Sequence, residues 1–243
     1  MSPDTRPYVL LSCSMSIDGY LDDATNKRLL LSNEADFDRV DSVRAQCDAI
    51  LVGARTVRQD NPRLLVRSPA RCDERVARGL PAQPMKVTVT SGGDLDPTAN
   101  FFVTGDHDKL VYCASGAVDK ASERLGHVAT VIDGGEPVDL GLVMTDLYGR
   151  GVRRLMVEGG GMLHTQFLTA GLADELDLVV APLFVGDSRA PRFVGDGPLL
   201  HDDDADRDGN TSRRAILAEV QQIGDVVLLR YALSDRFEKR FAE

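Results

Sequence analysis

The segment RLMVEGGGMLHTQFLTAGLADELDLVVAPLF, residues 154–184, decides the fold class. It opens with an apolar run, Arg154 to Glu158, and after the glycines 159–161 it continues as a helical pattern from Leu163 to Ala170. A second apolar run, from Glu175 to Phe184, has the length and composition of a buried strand. A helix between two buried strands is the repeating unit of a parallel sheet, so we predict an α/β fold.

The same alternation of strands and helices continues along the rest of the chain. Further strands are predicted at residues 8–13, 49–53, 86–91, 110–114 and 128–132. Helices are predicted from a cap at Ser32 or Asn33 to Gln46, and at residues 117–125 and 140–149. Two runs at 215–223 and 226–232 flank Gly224-Asp225, a two-residue hairpin turn. We expect one domain over residues 1–243, with a mainly parallel central sheet flanked by helices and a C-terminal antiparallel hairpin.

Composition excludes several classes of partner. The net charge of −10 disfavours binding to nucleic acid, whose phosphates would be repelled. No apolar run has the roughly 18 residues of a transmembrane helix, and the N-terminus has an acidic residue where a signal peptide would be basic. The four cysteines form no CxxC pair and are typical of reduced thiols, so we expect a cytoplasmic protein without membrane contact.

Common catalytic motifs are missing from the sequence. There is no Walker A pattern, no GxSxG and no HExxH, and the four histidines are isolated from one another. The acidic stretch 201–210 is interpreted as a solvated loop, with a metal site as the alternative. We expect no metal, and chemistry supplied by a bound cofactor.

Two segments carry the candidate sites. Gly159-Gly160-Gly161 stands between a strand and a helix, where free backbone amides and the lack of side chains suit a pyrophosphate. It is not a Rossmann fingerprint, because His164 occupies the last glycine position, and a tight turn without a ligand is the alternative.

The second segment is GARTVRQDNPRLLVR, residues 53–67. From Ala54 to Arg78 there are seven arginines and three acids, a net charge of +4 inside a chain of −10. We interpret this arginine cluster as binding a ligand with a phosphate group, because guanidinium groups match phosphate geometry. A solvated basic face is the alternative.

These residues resemble a known family. The motifs TVxxDxPxLxxR (residues 56–67) and VEGG (157–160), with PYVLLSCSMSIDG (7–19) and the IGDVVL hairpin, are similar to the reductase domain of the bifunctional riboflavin-biosynthesis deaminase-reductase. That domain has a dihydrofolate-reductase-like fold. The zinc deaminase domain of the bifunctional proteins is absent, so we expect a stand-alone reductase. One departure is Ser12, at a position where several bifunctional members have lysine.

The resemblance implies an NADPH-dependent reduction of the ribose of 5-amino-6-(5-phosphoribosylamino)uracil to a ribityl chain, in a homodimer. The implied contacts with the phosphorylated pyrimidine are Arg44, Arg63, Arg67 and Glu158. The implied cofactor contacts are Ser14, Gly53, Thr56, Asp60, Ser91, Gly159, Gly160, Gly161, Met162 and Leu163. Arg55, Arg58 and Ser91 are the candidates for reading the 2′-phosphate of NADPH.

Two carboxylates are the candidate catalytic residues. We expect Asp60 to orient the substrate or relay a proton, and Glu158 to accept hydrogen bonds from the substrate, although each could instead be a structural cap. Two other functions stay open. One is a dihydrofolate or pteridine reductase of the same fold, and the other is a catalytically silent nucleotide-binding protein.

Overall fold

A computed structural model describes residues 5–25, 29–196 and 214–237. The chain divides into two compact units, which are described one at a time. Unit 1 contains Met1–Tyr8 and Asp36–Gly160, and unit 2 contains Val9–Ala35 and Gly161–Glu243. The single domain expected from the sequence stays a prediction.

Unit 1 is built on five parallel strands. They are β2 (Ala49–Gly53), β3 (Met85–Thr90), β4 (Lys109–Cys113), β5 (Thr130–Asp133) and β6 (Arg154–Val157), in the order β5-β4-β3-β2-β6. The helices are α1 (Glu34–Ala45), whose first two residues belong to unit 2, α2 (Ala54–Asp60), α3 (Pro69–Ala77), α4 (Asn100–Val103), α5 (Val118–Leu125) and α6 (Leu140–Gly149). Because the strands are parallel, their carboxyl ends share one edge, which is where ligands bind in open α/β sheets.

Unit 2 combines parallel and antiparallel strands. Its described strands are β1 (Tyr8–Ser16, with Tyr8 in unit 1), β7 (Glu175–Ala181), β8 (Ile216–Ile223) and β9 (Val226–Ala232), and the described residues also include α7 (Gly161–Thr169). β1 and β7 are parallel, whereas β9 pairs antiparallel with both β7 and β8. The predicted mainly parallel strands and the C-terminal antiparallel hairpin are therefore confirmed.

The hairpin turns at Gly224, whose φ of +63° favours glycine. Behind it, side chains of β7, β8 and β9 form a buried apolar cluster with Leu31. The cluster is made of Leu31, Val179, Ala181, Ile223, Val226 and Leu228. Burial of this apolar surface anchors the hairpin to the parallel strands.

The helices α2, α3 and α4 are not among those predicted from the sequence. α2 occupies residues 54–60, and it ends at Asn61, which has a left-handed φ of 43°. α3 begins after Ser68, whose side chain accepts a hydrogen bond from the Arg71 amide, with Pro69 in the first turn. Serine followed by proline is a start signal for a helix, so Ser68-Pro69 indicates α3 in the sequence. The prediction for this region rests on its arginines alone and does not use this signal. The acidic stretch 201–210 lies outside the described residues.

Candidate active site

The glycine segment forms the turn between β6 and α7. Gly160 has a φ of +89°, a conformation that side-chain-bearing residues rarely adopt. A Cβ atom on Gly161 would collide with the Arg192 carbonyl oxygen. α7 begins at Gly161, two residues before the predicted start, so the amides of Met162 and Leu163 lie in the first helical turn. Amides in that position have no carbonyl partner within the helix and can bind an anion.

Residues at the end of β2 contact the glycine turn. The Gly53 amide donates a hydrogen bond of 3.3 Å to the Gly159 carbonyl oxygen. A Cβ atom on Gly160 would lie 3.4 Å from the Thr56 hydroxyl oxygen, at the short end of van der Waals contact. Unit 1 thus brings together Gly53, Thr56, Gly159 and Gly160, four of the residues predicted to bind the cofactor.

Glu158, the residue before the glycines, is paired with Arg44 of α1. Arg44 Nε donates to one carboxylate oxygen at 2.6 Å, and Arg44 Nη2 donates to the other at 2.5 Å. Both side chains are mostly buried, with 18% of Arg44 and 12% of Glu158 exposed. Burial alone would lower the pKa of Arg44, but the charge and hydrogen bonds of Glu158 outweigh burial and raise it. The structure brings together two predicted substrate residues as one ion pair.

The other two predicted substrate arginines lie on the segment after α2. We call residues 61–68 the arginine loop. Arg63 and Arg67 are both exposed, and 59% of the Arg67 side chain is open to solvent. Arg44 also contacts this loop, since its Nη1 donates to the Leu65 carbonyl oxygen at 3.1 Å. One guanidinium therefore connects the end of β6 to the arginine loop.

Three arginines of the predicted phosphate-binding cluster have structural roles instead. Arg75 is 1% exposed and donates to the carbonyl oxygens of Ala45, Cys47 and Pro81. Arg78 donates to the Ala45 carbonyl oxygen as well. Arg71 forms ion pairs with two aspartates of α1. The net charge of +4 is therefore not one ligand site, because these three side chains bind α1 and the backbone near it.

The remaining predicted site residues occupy separate places. Asp60 is exposed at the last position of α2, and Ser91 is exposed directly after β3. Ser14 is half-buried in β1, opposite Val179. In the first turn of α7, 74% of Met162 is exposed whereas Leu163 is buried at 4%, so Leu163 can offer a ligand only its backbone.

Two candidates for the 2′-phosphate lie on α2. Arg58 Nη1 donates to the Asp94 carbonyl oxygen at 3.3 Å, within the loop that Ser91 begins. Arg55 donates to Gln59 on its own helix. Both arginines are exposed. Arg58 and Ser91 are thus associated with the same loop at the carboxyl end of β3.

Ser12, the departure from the family pattern, is buried in β1 opposite Asp177. Asp177 is fully buried and lies 3.2 Å from the Nε of Arg230, which also pairs with Glu175. A serine hydroxyl adds no charge beside Asp177, which already pairs with the cationic Arg230.

Neither a metal centre nor a membrane span is found in the parts of the chain that the structure describes. No cluster of three or more His, Cys, Asp or Glu side chains among them has the geometry to hold a metal ion. None of the described helices is both long enough and apolar enough to cross a membrane.

Comparison with known proteins identifies the family. The model of the RibD C-terminal domain family matches residues 7–229. The chain belongs to this family. A member from Archaeoglobus fulgidus, named 2,5-diamino-6-ribosylamino-4(3H)-pyrimidinone 5′-phosphate reductase, is 36% identical over 76% of this chain and 85% of its own length. A protein of the same name from Methanothermobacter thermautotrophicus is 37% identical over 79% of this chain and 85% of its own length.

Longer family members match over part of their length. The RibD protein of Bacillus amyloliquefaciens is 29% identical over 79% of this chain and 50% of its own. Among solved structures, a pyrimidine reductase-like protein from Corynebacterium diphtheriae has a TM-score of 0.76 at 21% identity, covering 95% of this chain and 93% of its own. Acinetobacter baumannii RibD has a TM-score of 0.74 at 22% identity, with 95% and 59% covered. The predicted dihydrofolate-reductase-like fold of this family is thereby confirmed.

Proposed function

We propose that this protein reduces the ribosylamino group of a pyrimidine 5′-phosphate to a ribitylamino group, a step of riboflavin biosynthesis. The observation that carries the proposal is its similarity to three reductases that share one name, at 31–37% identity and over 83–85% of their length. Their name specifies a 2,5-diaminopyrimidinone, whereas the resemblance of the sequence motifs implies the related uracil. The diaminopyrimidinone is therefore the first substrate to test, and the uracil is the second.

The substrate is proposed to bind at the Arg44–Glu158 pair and the arginine loop. Arg67 and Arg63 are exposed cations on one short loop, which suits the 5′-phosphate. Glu158 uses both oxygens to accept hydrogen bonds from Arg44, and a carboxylate has lone pairs left for substrate hydroxyl groups or the pyrimidine. Arg44 would hold that carboxylate in one orientation.

The cofactor is proposed to be NADPH. The strongest support in the structure is the glycine turn, because Gly160 has no side chain to hinder a pyrophosphate and the first turn of α7 supplies amides without carbonyl partners in the helix. Arg58 and the Ser91 loop are the proposed site for the 2′-phosphate that distinguishes NADPH from NADH. The other proposed cofactor contacts are Ser14, Gly53, Thr56, Asp60, Gly159, Met162 and Leu163.

The chemistry requires one hydride and one proton. Opening the ribose ring gives an imine between C1′ and the exocyclic nitrogen of the pyrimidine. When bound, the nicotinamide supplies a hydride to C1′. The nitrogen then needs a proton, and the exposed Asp60 carboxyl is proposed to relay it from solvent or to orient the sugar. Glu158 and the arginine loop would fix the two ends of the substrate around the reacting carbon.

An absorbance assay at about 340 nm tests this function, since reduced nicotinamide absorbs there and the oxidised form does not. The purified protein is mixed with NADPH and, in parallel, with the diaminopyrimidinone, the uracil and dihydrofolate. Loss of absorbance with either ribosylamino substrate supports the proposal. Turnover of dihydrofolate alone would favour a pteridine reductase, and no turnover with any of the three would favour a silent nucleotide-binding protein.

We also propose a cytoplasmic homodimer. The exposed strand β8 supports self-association, because 69% of Ile216, 51% of Leu217 and 58% of Val220 are open to solvent in this chain. Apolar side chains on a strand at the edge of a sheet commonly pack against a partner. Light scattering on the purified protein measures the mass, and a monomer at micromolar concentration would contradict this proposal.

A further inference from the structure

The arginine loop has an unusual backbone. Among its residues, Asn61 and Leu64 have positive φ angles, +43° and +48°. Asparagine tolerates this conformation, but a bulky residue such as leucine adopts it only when its surroundings hold it there. Leu64 is buried with 3% of its surface exposed, so the side chain is fixed in the core while the loop on either side carries Arg63 and Arg67. The loop conformation must therefore be imposed by contacts from outside the loop.

Asp41 of α1 makes the most extensive of these contacts. One oxygen of its carboxylate accepts a hydrogen bond from the Arg67 amide at 2.6 Å, and the other accepts from the Ser68 amide at 3.2 Å. The second oxygen also accepts from Arg71 Nη1 at 2.9 Å. Only 2% of the Asp41 side chain is exposed. Burial raises the pKa of Asp41, but the two amides and Arg71 outweigh burial and lower it, which favours the charged form.

Two further residues hold the same part of the loop. Arg44, one helical turn after Asp41, donates to the Leu65 carbonyl oxygen at 3.1 Å. Gln83 accepts from the Val66 amide at 2.8 Å and donates to the Val66 carbonyl oxygen at 2.9 Å. Every residue from Leu65 to Ser68 therefore has a backbone group bound by a side chain from elsewhere in unit 1. These contacts preorganise the loop, so it loses little conformational entropy when a ligand binds.

We propose that Asp41 is a positioning residue for Arg67 and preforms the phosphate-binding conformation of the arginine loop. This inference rests on the proposed function, in which Arg67 binds the substrate 5′-phosphate. Asp41 fixes the Arg67 backbone amide, and its carboxylate lies 3.6 Å from the Arg67 Nε atom. The Arg67 Nη2 atom also donates to the Phe37 carbonyl oxygen at 3.0 Å, so α1 defines where the guanidinium lies. A guanidinium has five N–H donors, and its exposed part remains available to a phosphate.

A double-mutant cycle separates positioning through Arg67 from a general structural role. Asp41→Asn, Arg67→Ala and the double variant are compared for kcat and for KM of the ribosylamino substrate. The asparagine keeps the shape of the side chain but directs an NH2 group at a donor. We expect Asp41→Asn to raise KM about tenfold with kcat changed less than about twofold, since charge-assisted hydrogen bonds are lost. In the Arg67→Ala background the same substitution should change KM less than about twofold.

Asp38→Asn is the matched control. Asp38 pairs with the same Arg71, at 2.7 and 2.8 Å, but it does not contact the Arg67 or Ser68 amides. The control should leave KM within about twofold of the unmodified protein. An equal rise in KM when Asp41→Asn is made with and without Arg67 would overturn the proposal, as would an unchanged KM. If Asp41→Asn does not fold, the smaller Asp41→Ser, whose hydroxyl still accepts one hydrogen bond, enters the same cycle. Loss of folding in both would show a structural role and also overturn it.

Binding of ribose 5-phosphate, measured by calorimetry, distinguishes failure of this inference from failure of the proposed function. If the unmodified protein does not reduce the substrate, the proposed function fails. The same cycle is then measured as Kd for ribose 5-phosphate. A non-additive cycle would support Asp41 as the positioning residue without the proposed reaction. An additive cycle, or no binding of ribose 5-phosphate by the unmodified protein, would overturn the inference.

Discussion

The guanidinium of Arg44 and the carboxylate of Glu158 face each other through two hydrogen bonds, of 2.6 and 2.5 Å, although the residues are 114 positions apart. The pair explains why a carboxylate directly precedes a glycine turn suited to phosphate. Glu158 is bound by an arginine of α1, so its charge is balanced by a mostly buried guanidinium. This pairing supports the proposal that the turn and the carboxylate serve two different ligand groups.

Removing one partner of this pair should destabilise the protein. Glu158→Gln leaves Arg44 mostly buried without its counter-charge, and we expect the free energy of unfolding to fall by about 2–3 kcal/mol. Urea denaturation measures the change. The double variant Arg44→Met with Glu158→Gln should lose less than the sum of the two single variants, because no charge is left unpaired. Lys120→Ala is the control, since that lysine pairs with Asp94 at a site where both are more than 60% exposed, and its effect should be under about 0.5 kcal/mol.

The glycine turn should not tolerate a methyl group. Gly161→Ala would push a Cβ atom against the Arg192 carbonyl oxygen and displace the first turn of α7. We expect weaker binding of NADPH, by about tenfold or more, because the amides proposed to hold the pyrophosphate would move. Fluorescence titration with NADPH measures Kd. Gly149→Ala is the control, because nothing lies near a Cβ atom there, and an equal loss of affinity in both variants would contradict the proposed role of the turn.

Asp60→Asn tests the proposed proton relay. The amide keeps the size of the side chain but cannot act as a general acid or base, so kcat should fall by about tenfold to a hundredfold while KM changes little. Steady-state kinetics with NADPH and the ribosylamino substrate give both constants. Full turnover with normal KM would remove Asp60 from the mechanism and leave it as the last residue of α2.

Stability should depend on pH through His107. Burial, followed by the charge of Lys86, lowers the pKa of His107 from 6.5 to about 4. The unfolded chain therefore binds more protons between those two values, and stability is lost as pH falls from about 6.5 through about 4. His107→Gln should lose less stability between pH 7 and pH 5 than the unmodified protein, by on the order of 1 kcal/mol. Thermal unfolding at both pH values measures the difference. Equal losses of stability in the two proteins would contradict this prediction.

Local patterns in the sequence predict much of the fold. β2 has the bounds predicted for it, because four apolar residues followed by a glycine, AILVG, are a strong strand signal. The hairpin is predicted from Gly224-Asp225, because two residues that include a glycine between apolar runs favour a tight hairpin turn. The predicted strand 175–184 instead ends at Ala181, since Pro182 lacks an amide for the ladder. α2 escaped prediction because seven residues rich in polar side chains show no clear helical period.

The candidate site was only partly predictable. Gly53, Thr56, Gly159 and Gly160 were selected from their motifs, and the structure places them in contact. The pairing of Arg44 with Glu158 could not be read from the sequence, because nothing local links the helix before β2 to the end of β6. Asp41 was missed for the same reason, since its partners are 26 and 27 positions away. In the sequence, Asp41 is distinguished only by its position one helical turn before Arg44, which places both side chains on the same face of α1. The structure shows that the arginine loop lies against that face.

The most direct test of the proposed function is the mass of the product. The protein is incubated with the diaminopyrimidinone 5′-phosphate and NADPH carrying deuterium at both positions of nicotinamide C4, and the product is analysed by mass spectrometry. We expect a ribitylamino product that contains one deuterium at C1′ and one hydrogen from water. An unreduced substrate, or a product without deuterium at C1′, would contradict the proposed reaction.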